Sequence, residues 1–400
     1  MLNKLLIGIF ILIFLIAVIY GPTAARVYKM IHLYDEDRIV YNFLNMDMVF
    51  PTIGIAASKD PHVFPQKQLS LPEFYELDGK QYDLSQALEY FQSDGMVVLH
   101  NGHLVYENYW LGNSKDSKHI SWSVAKSFLS ALIGIALEDG LIDDLDDPIT
   151  KYLKDFVGTG YEDIPIKDIL QMSSGVTFNE DYADYNSDIN RFGRAIAQGT
   201  SMREFAKTLK NGKKSGTYNH YVSIDTQMLA MLLQEVTGMS VTKNLQEKIW
   251  NKVGMEHDAY YMVDDTGMEV ALGGLNASVR DYAKFGLLYL NKGRWNGEQV
   301  VPEKWVESSY NADAAHLLPG ENELSSNSWG YGYQWWIPGS PNTDYLAAGI
   351  YNQYIYIDPI TNVVIAKTSS NFKFNEERQY SKDAHVAIFR AIAQSTGENL

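Results

Sequence analysis

HISWSVAKSFLSALIGIALEDG, residues 119–140, is the stretch on which the reading of this chain turns. Ser123 and Lys126 stand three residues apart, a spacing that puts two side chains on one face of a helix. Phe128, Leu129, Leu132, Ile133, Ile135, Ala136 and Leu137 continue an apolar helical pattern, and Gly140 ends it. Ser123 then falls at a helix N-terminus, where free N–H groups and the macrodipole favour the negative charge of an acyl-transfer oxyanion. Lys126 sits one turn deeper among apolar neighbours. There it loses hydration, its ammonium form is disfavoured, and it becomes a base near neutral pH. The pair reads as a serine nucleophile with its own base. The same Ser-x-x-Lys string recurs at Ser240–Lys243 and Ser370–Lys373. Ser240 closes the turn Thr237-Gly238-Met239 and reads as a helix cap, and Ser370 follows a strand among polar residues, so both copies read as structural.

Composition narrows the rest. Four hundred residues, 46% of them hydrophobic, allow two ordinary domains or one enzyme domain with a large insertion. With 49 acidic against 33 basic residues the net charge is −16, which repels phosphate backbones and argues against nucleic acid as a partner. The chain has no cysteine, so neither a disulfide framework nor a thiolate metal site exists. His100 and His103 flank Asn101-Gly102, a hairpin turn, and no His-Glu-x-x-His helix occurs; neither metal nor cofactor is expected. The acidic cluster Asp143, Asp144, Asp146 and Asp147 reads as a solvated loop rather than a calcium site.

Residues 1–25 stand apart. Leu5 to Tyr20 is a run of sixteen residues without charge, about 24 Å long as a helix. It reads as an export signal or a membrane anchor, with the anchor preferred. Lys4 would stay in the cytoplasm and the catalytic domain would lie outside; removal of the leader near Thr23-Ala24-Ala25 would make the protein secreted or periplasmic. Residues 26–80, punctuated by Pro51, Pro61, Pro65 and Pro72, read as an extended lead-in over the surface. Residues 81–395 read as the main folded domain. Gly95–His100 and His103–Glu107 form a strand pair. From about 127 to 325 the pattern is mainly helical, with helices expected at Ile166–Met172, Met202–Leu209, Ser223–Thr237, Val241–Val253 and Ser278–Asn291. Strands return at Gly332–Trp336, Tyr345–Gly349, Gln353–Ile357 and Val363–Thr368, and Ala384–Gln394 closes the chain as a helix. The two flanking αβ segments are thus expected to form one sheet with a helical lobe inserted between them, and the interface is a place for a cleft.

These ordered motifs resemble the serine β-lactamase-related superfamily, which includes class C β-lactamases, D-Ala-D-Ala carboxypeptidases, related esterases and 6-aminohexanoate-dimer hydrolases. The resemblance spans about residues 80–395 and implies an α/β (α+β) β-lactamase/transpeptidase-like fold, an antiparallel sheet flanked by helices. Ser123 and Lys126 match the family's nucleophile and base. The loop Gly216-Thr217-Tyr218-Asn219-His220-Tyr221-Val222-Ser223 resembles its Tyr-x-Asn or Tyr-x-Ser loop, which implies Tyr221 as the catalytic tyrosine and Ser223 as a substrate-binding candidate. A phenol near a lysine can lose or relay a proton between the serine and the leaving group. Gly273–Gly286 is similar to a family stretch of structural character.

The third motif departs from the pattern. Where a Lys-Thr-Gly or His-Thr-Gly is usual, this chain has Ala347-Ala348-Gly349, without the group that holds a substrate carboxylate in lactamases and carboxypeptidases. Gly349 still allows close approach, and the Ile350 N–H is expected to pair with that of Ser123 as an oxyanion hole. The Gly-Ile-Tyr-Asn-Gln sequence, the preceding Tyr-Gln-Trp-Trp and Glu180-Asp181-Tyr182 look closer to the 6-aminohexanoate-dimer hydrolase and esterase branch. That resemblance implies that Tyr182 hydrogen-bonds a substrate amide nitrogen and that Trp336 walls the cleft. The reading is a serine hydrolase that cleaves a small-molecule or peptide-like amide or ester through an acyl-enzyme. A penicillin-binding, carboxypeptidase or β-lactamase-like wall protein and a catalytically silent ligand-binding module are the alternatives. The Gly-x-Ser-x-Gly elbow of an α/β-hydrolase is absent.

Overall fold

The strand Ser93–His100 is buried along its whole length, and its alternate residues explain the architecture. Val97 and Leu99 point into one apolar core and Met96 and Val98 into another; successive strand side chains face opposite sides, so this sheet is covered on both. The same division recurs in Gln353–Asp358, where Ile355 and Ile357 face the first core while Tyr354 and Tyr356 face the second. The computed structural model describes residues 2–339 and 343–398.

Seven antiparallel strands make the central sheet, in the order Gly330–Tyr331, Trp336–Ile337, Tyr345–Gly349, Gln353–Asp358, Val363–Ser369, Ser93–His100, His103–Tyr109. Val363 to Thr368 pair with His100 to Gly95, so the early and late parts of the chain are joined side by side, as expected. One face carries the closing helix Arg378–Glu398, with Ile388, Phe389 and Ile392 in the second core. The other face carries the helix Val279–Leu290. Gly286 is required there, because a Cβ would stand 2.5 Å from Val364 Cγ1 and 2.8 Å from Ile355 Cγ2. Beyond it lie the buried helices Ala125–Glu138 and Ser223–Thr237.

Three expectations are corrected. Gly332–Trp336 is not one strand: the chain pairs only at Gly330–Tyr331 and Trp336–Ile337, and Gln334 between them has a positive φ of 65°. The aromatic and β-rich composition here serves burial in a turn rather than a ladder. The closing helix begins at Arg378, six residues before the expected Ala384, because its polar first turns carry no apolar period to read. Residues 26–80 do not merely wrap the surface. Ile39 and Phe43 of the short helix Ile39–Leu44 are fully buried, and Thr52–Ile55 pairs with Ala259–Met262 in a second sheet of four strands. An element of six residues is too short to display a helical period in sequence.

The N-terminal helix runs Leu2–Ile31. Its last turns dock on the domain, where Arg26 forms a two-bond pair with Asp265 at 2.6 and 3.1 Å. Among the described residues no helix is long and apolar enough to cross a membrane; the expected span is not found.

Candidate active site

Ser123 lies in a short 3₁₀ turn, Trp122–Val124, directly ahead of the helix Ala125–Glu138. Trp122 before it has a φ of +44°, a left-handed backbone that bulky residues rarely adopt and that persists only where the surroundings fix it. Lys126 is 1% exposed. Its ammonium nitrogen reaches the Ser123 Oγ at 3.2 Å and also donates to the Leu272 carbonyl. Burial lowers the Lys126 pKa to about 7, with the Glu180 charge working in the opposite direction. At neutral pH a large share of these side chains is therefore the free amine that a base must be.

Tyr221 arrives from the loop before the helix Ser223–Thr237. The Lys126 nitrogen is 5.4 Å from the centre of its ring, and the ring stacks on Trp336 at 5.4 Å. Burial and the nearby Glu180 carboxylate push the Tyr221 phenol well above its ordinary pKa, and a hydrogen bond with Ser123 opposes them. The group is thus a neutral phenol, suited to relaying a proton rather than to acting as a standing phenolate. Glu180 is the hub behind it. One of its oxygens accepts from the Ser223 backbone N–H at 2.5 Å, and the other accepts from the Tyr182 hydroxyl at 3.0 Å.

The opposite wall is the turn after the strand Tyr345–Gly349. A Cβ on Gly349 would lie 2.6 Å from the Ser121 carbonyl and 3.1 Å from the Trp122 side chain, so only glycine lets this turn rest against the segment that carries Ser123. Tyr351 and Asn352, just beyond Ile350, both have positive φ, at 61° and 70°. Gln353 braces them: its amide nitrogen donates to the carbonyls of Ile350, Tyr351 and Ser369 at 3.3, 3.1 and 2.7 Å. Aromatic rings from the N-terminal segment complete the support. Phe43 meets Trp122 and Tyr351 edge-on at 5.4 and 5.2 Å, and Tyr34 stacks on Tyr351 at 5.0 Å. The strained residues beside Ser123 and beside Ile350 are therefore held by one clamp, to which residues 26–80 contribute the inner jaw.

Two cavities meet at this point, bordered in common by Ser123, Tyr182 and Ile350. Tyr221, Trp336 and Gly349 line the first. The structure thus gathers seven of the eight residues singled out from sequence: Ser123, Lys126, Tyr221, Tyr182, Trp336, Gly349 and Ile350. Ser223 is the exception. Its side chain is fully buried, lines neither cavity and has no hydrogen-bond partner among the described residues; only its N–H reaches the site, through Glu180. Three groups were missed in sequence. Glu180 stands in the quoted Glu180-Asp181-Tyr182 motif but was not singled out, and Arg378 and Lys382 come from the unpredicted first turns of the closing helix and line the first cavity. The two other Ser-x-x-Lys copies are structural in place: the Ser240 hydroxyl caps its helix by accepting from the Lys243 N–H at 3.1 Å, and the Ser370 hydroxyl donates to the buried Asp94 at 2.9 Å. Among the described residues no group of three or more acidic or histidine side chains is placed to hold a metal ion.

Comparison with known proteins identifies the family. The Beta-lactamase family model matches residues 85–388. The 6-aminohexanoate-dimer hydrolase of Paenarthrobacter ureafaciens is 31% identical over 336 residues, covering 82% of this chain and 84% of that protein. A solved structure from Bacillus anthracis, provisionally assigned as a 6-aminohexanoate-dimer hydrolase, superposes with a TM-score of 0.79 at 26% identity over 90% of this chain and 95% of its own. EstCE1, a hydrolase with promiscuous acyltransferase activity, shares the fold at a TM-score of 0.60 and 14% identity, over 76% of this chain and 96% of its own. A serine-hydrolase type of fold, matched by the family model along most of its length and by a hydrolase relative across four-fifths of it, places the chain in the Beta-lactamase family.

Proposed function

We propose that this protein hydrolyses an amide or ester through an acyl-enzyme on Ser123, in the manner of the 6-aminohexanoate-dimer hydrolase and esterase relatives. The observation that carries the reading is a buried lysine, its pKa lowered to about 7 by burial, 3.2 Å from a serine hydroxyl at the meeting of two cavities. Lys126 takes the Ser123 proton as Oγ attacks the carbonyl carbon. The Ser123 and Ile350 N–H groups receive the oxyanion. Tyr221, a neutral phenol, protonates the departing amine or alcohol and is reprotonated from Lys126. Water then attacks the acyl-enzyme by the reverse proton path, releasing a carboxylic acid and restoring the serine. The Tyr182 hydroxyl donates to Glu180, so its oxygen keeps lone pairs to accept from a substrate N–H, and Tyr182 borders both cavities, which supports the amidase side of the reading.

The lack of a cation at Ala347-Ala348-Gly349 weighs against a penicillin-binding or carboxypeptidase role. As to location, we propose an exported protein, anchored through its N-terminal helix or secreted after its removal. The charge-free run and the exposure of Leu5, Ile7, Phe10 and Phe14 along it support this. Incubation with a fluorophosphonate and with a fluorescent penicillin, followed by mass measurement, tests the enzyme reading. One phosphonyl adduct on Ser123 and no penicillin adduct is the expected result. Absence of any adduct at high probe concentration would establish a silent binding module instead, and a penicillin adduct would establish the wall-enzyme reading.

A further inference from the structure

The two cavities that share Ser123 differ in chemistry. The first, about 450 Å³, is bordered by Glu180, Tyr221, Arg378 and Lys382. The second, about 550 Å³, is bordered by Met30, Tyr34, Phe192, Ile196, Met262 and Leu272. Each is of the size that ligand sites occupy. Proton chemistry decides which half of a substrate enters which. The leaving atom must depart toward the acid that protonates it, and Tyr221 borders the first cavity but not the second. The leaving group therefore occupies the polar cavity, and the acyl part, which stays on Ser123, occupies the apolar one.

The polar cavity has a sign as well. Arg378 and Lys382 are one turn apart on the closing helix and so share a face. Lys382 lies over the rings of Trp329 and Trp336, 4.1 and 5.3 Å from their centres, and Arg378 lies 6.0 Å from the Tyr182 ring centre. Neither is in an ion pair among the described residues. Glu180, the nearest carboxylate to the chemistry, is already engaged by the Tyr182 hydroxyl and the Ser223 N–H. Asp181, the other carboxylate on this cavity, accepts from the Ala183 N–H at 2.9 Å. Two cations over aromatic faces, beside two acids that are already used, suit an anion.

We propose that the substrate is an amphiphile: an ester or amide that joins an apolar acyl chain, seated in the second cavity, to an anionic alcohol or amine, seated in the first. The proposal rests on the hydrolase reading above. The bond from Ser123 Oγ to the acyl carbon forms as the carbon–oxygen or carbon–nitrogen bond breaks. The leaving atom takes a proton from Tyr221, and water later cleaves the acyl-enzyme to the free acid. The second cavity is walled on one side by Val27, Met30 and Ile31, the last turns of the N-terminal helix, so the full chain is needed to test it.

Methyl decanoate and nonyl acetate have the same composition and carry their chains on opposite sides of the ester. With the full-length protein, kcat/KM for methyl decanoate should exceed that for nonyl acetate at least tenfold, since each methylene buried in an apolar pocket raises transition-state binding several-fold. Equal or reversed rates would overturn the proposal. The decanoyl ester of glycolate should be preferred at least fivefold over that of neutral glycolamide, and Arg378→Gln should erase that preference; no preference in the native protein would overturn the anionic half. Gly193→Phe, aimed at the second cavity from the helix Asp188–Ala197, should lower the ratio of decanoate to acetate turnover at least tenfold, and an unchanged ratio would count against the acyl assignment. Phosphonate labelling of Ser123 with a flat chain-length profile would sink this proposal alone. No labelling and no turnover of any ester would sink the hydrolase reading and this proposal together.

Discussion

Lys126 and Lys367 make a natural pair. Each is 1% exposed, each donates a hydrogen bond to a serine hydroxyl, Ser123 in one case and Ser369 in the other, and burial lowers both to a pKa of about 7. Their surroundings differ. Lys126 stands under a turn that opens on two cavities, beside a phenol and between two segments of strained backbone. Lys367 lies inside the central sheet, opposite Tyr354 in the neighbouring strand, with the Asp94 charge opposing the effect of burial; its partner Ser369 borders neither cavity, whereas Ser123 borders both. A lowered lysine pKa therefore records desolvation and does not by itself mark a catalytic base. On the proposed mechanism, access for a carbonyl, donors for its oxyanion and an acid for the leaving group distinguish the two.

Substitutions test that contrast most strongly at the serines. Ser123→Ala should reduce kcat/KM on an activated ester by about 10⁴-fold or more, whereas Ser369→Ala should change it by no more than about threefold, since no substrate reaches that position. Lys126→Met should cost about 10³-fold and Lys367→Met again no more than about threefold, measured on the same ester with circular dichroism to verify folding. Tyr221→Phe keeps the stacking on Trp336 and removes only the proton; about 10²-fold loss in kcat is expected, larger for an amide than for an ester with a good leaving group. Equal losses on both would assign the phenol a positioning role instead.

Stability against pH sharpens the same comparison. Both lysines have folded pKa values below the unfolded value of about 10.4, so between about pH 7 and pH 10 the unfolded chain binds more protons than the native one. Their contribution to stability therefore rises with pH across that window and is least below about pH 7, where each must be buried charged. Lys367→Met should flatten this rise in denaturant titrations while leaving the activity profile in place. Lys126→Met should flatten it to a similar degree and abolish activity. A steeper slope in either variant would contradict the burial argument.

The smallest effect is expected at the clamp. Phe43→Leu retains an apolar filling and removes the ring edge that faces Trp122 and Tyr351. A cost of about 1 kcal/mol in stability should accompany a fall in kcat of about tenfold with little change in KM, because the oxyanion donors act on the transition state. A change confined to KM would place Phe43 at the substrate rather than behind the backbone.

Sequence carried the local features of the site better than its long-range ones. Ser123, Lys126 and the helix that follows were readable because their meaning lies within one turn of chain, and Ser223–Thr237 was readable to the residue because a cap and an apolar run bound it. Glu180 was not, since a carboxylate in a loop rich in acids gains its role only from the phenol and the N–H that the fold brings to it. Arg378 and Lys382 were lost with the start of their helix, whose first turns are polar. Phe43 and Tyr34 lay in a stretch without periodicity, and their meeting with Trp122 and Tyr351 spans distances in sequence that no local pattern encodes. Ser223 was placed wrongly for the opposite reason: it shares a tripeptide with Tyr221, yet one of the two side chains faces the cleft and the other the core.

The most direct test is the rate at which a fluorophosphonate acquires Ser123, followed by mass measurement from about pH 5 to pH 10 in the native protein and in Lys126→Met. The account predicts a native rate that climbs about tenfold per pH unit and levels above about pH 7, the pKa of Lys126, and a variant at least about 10³-fold slower with no such inflection. A variant that labels at the native rate, or a native profile still rising at pH 10, would contradict it.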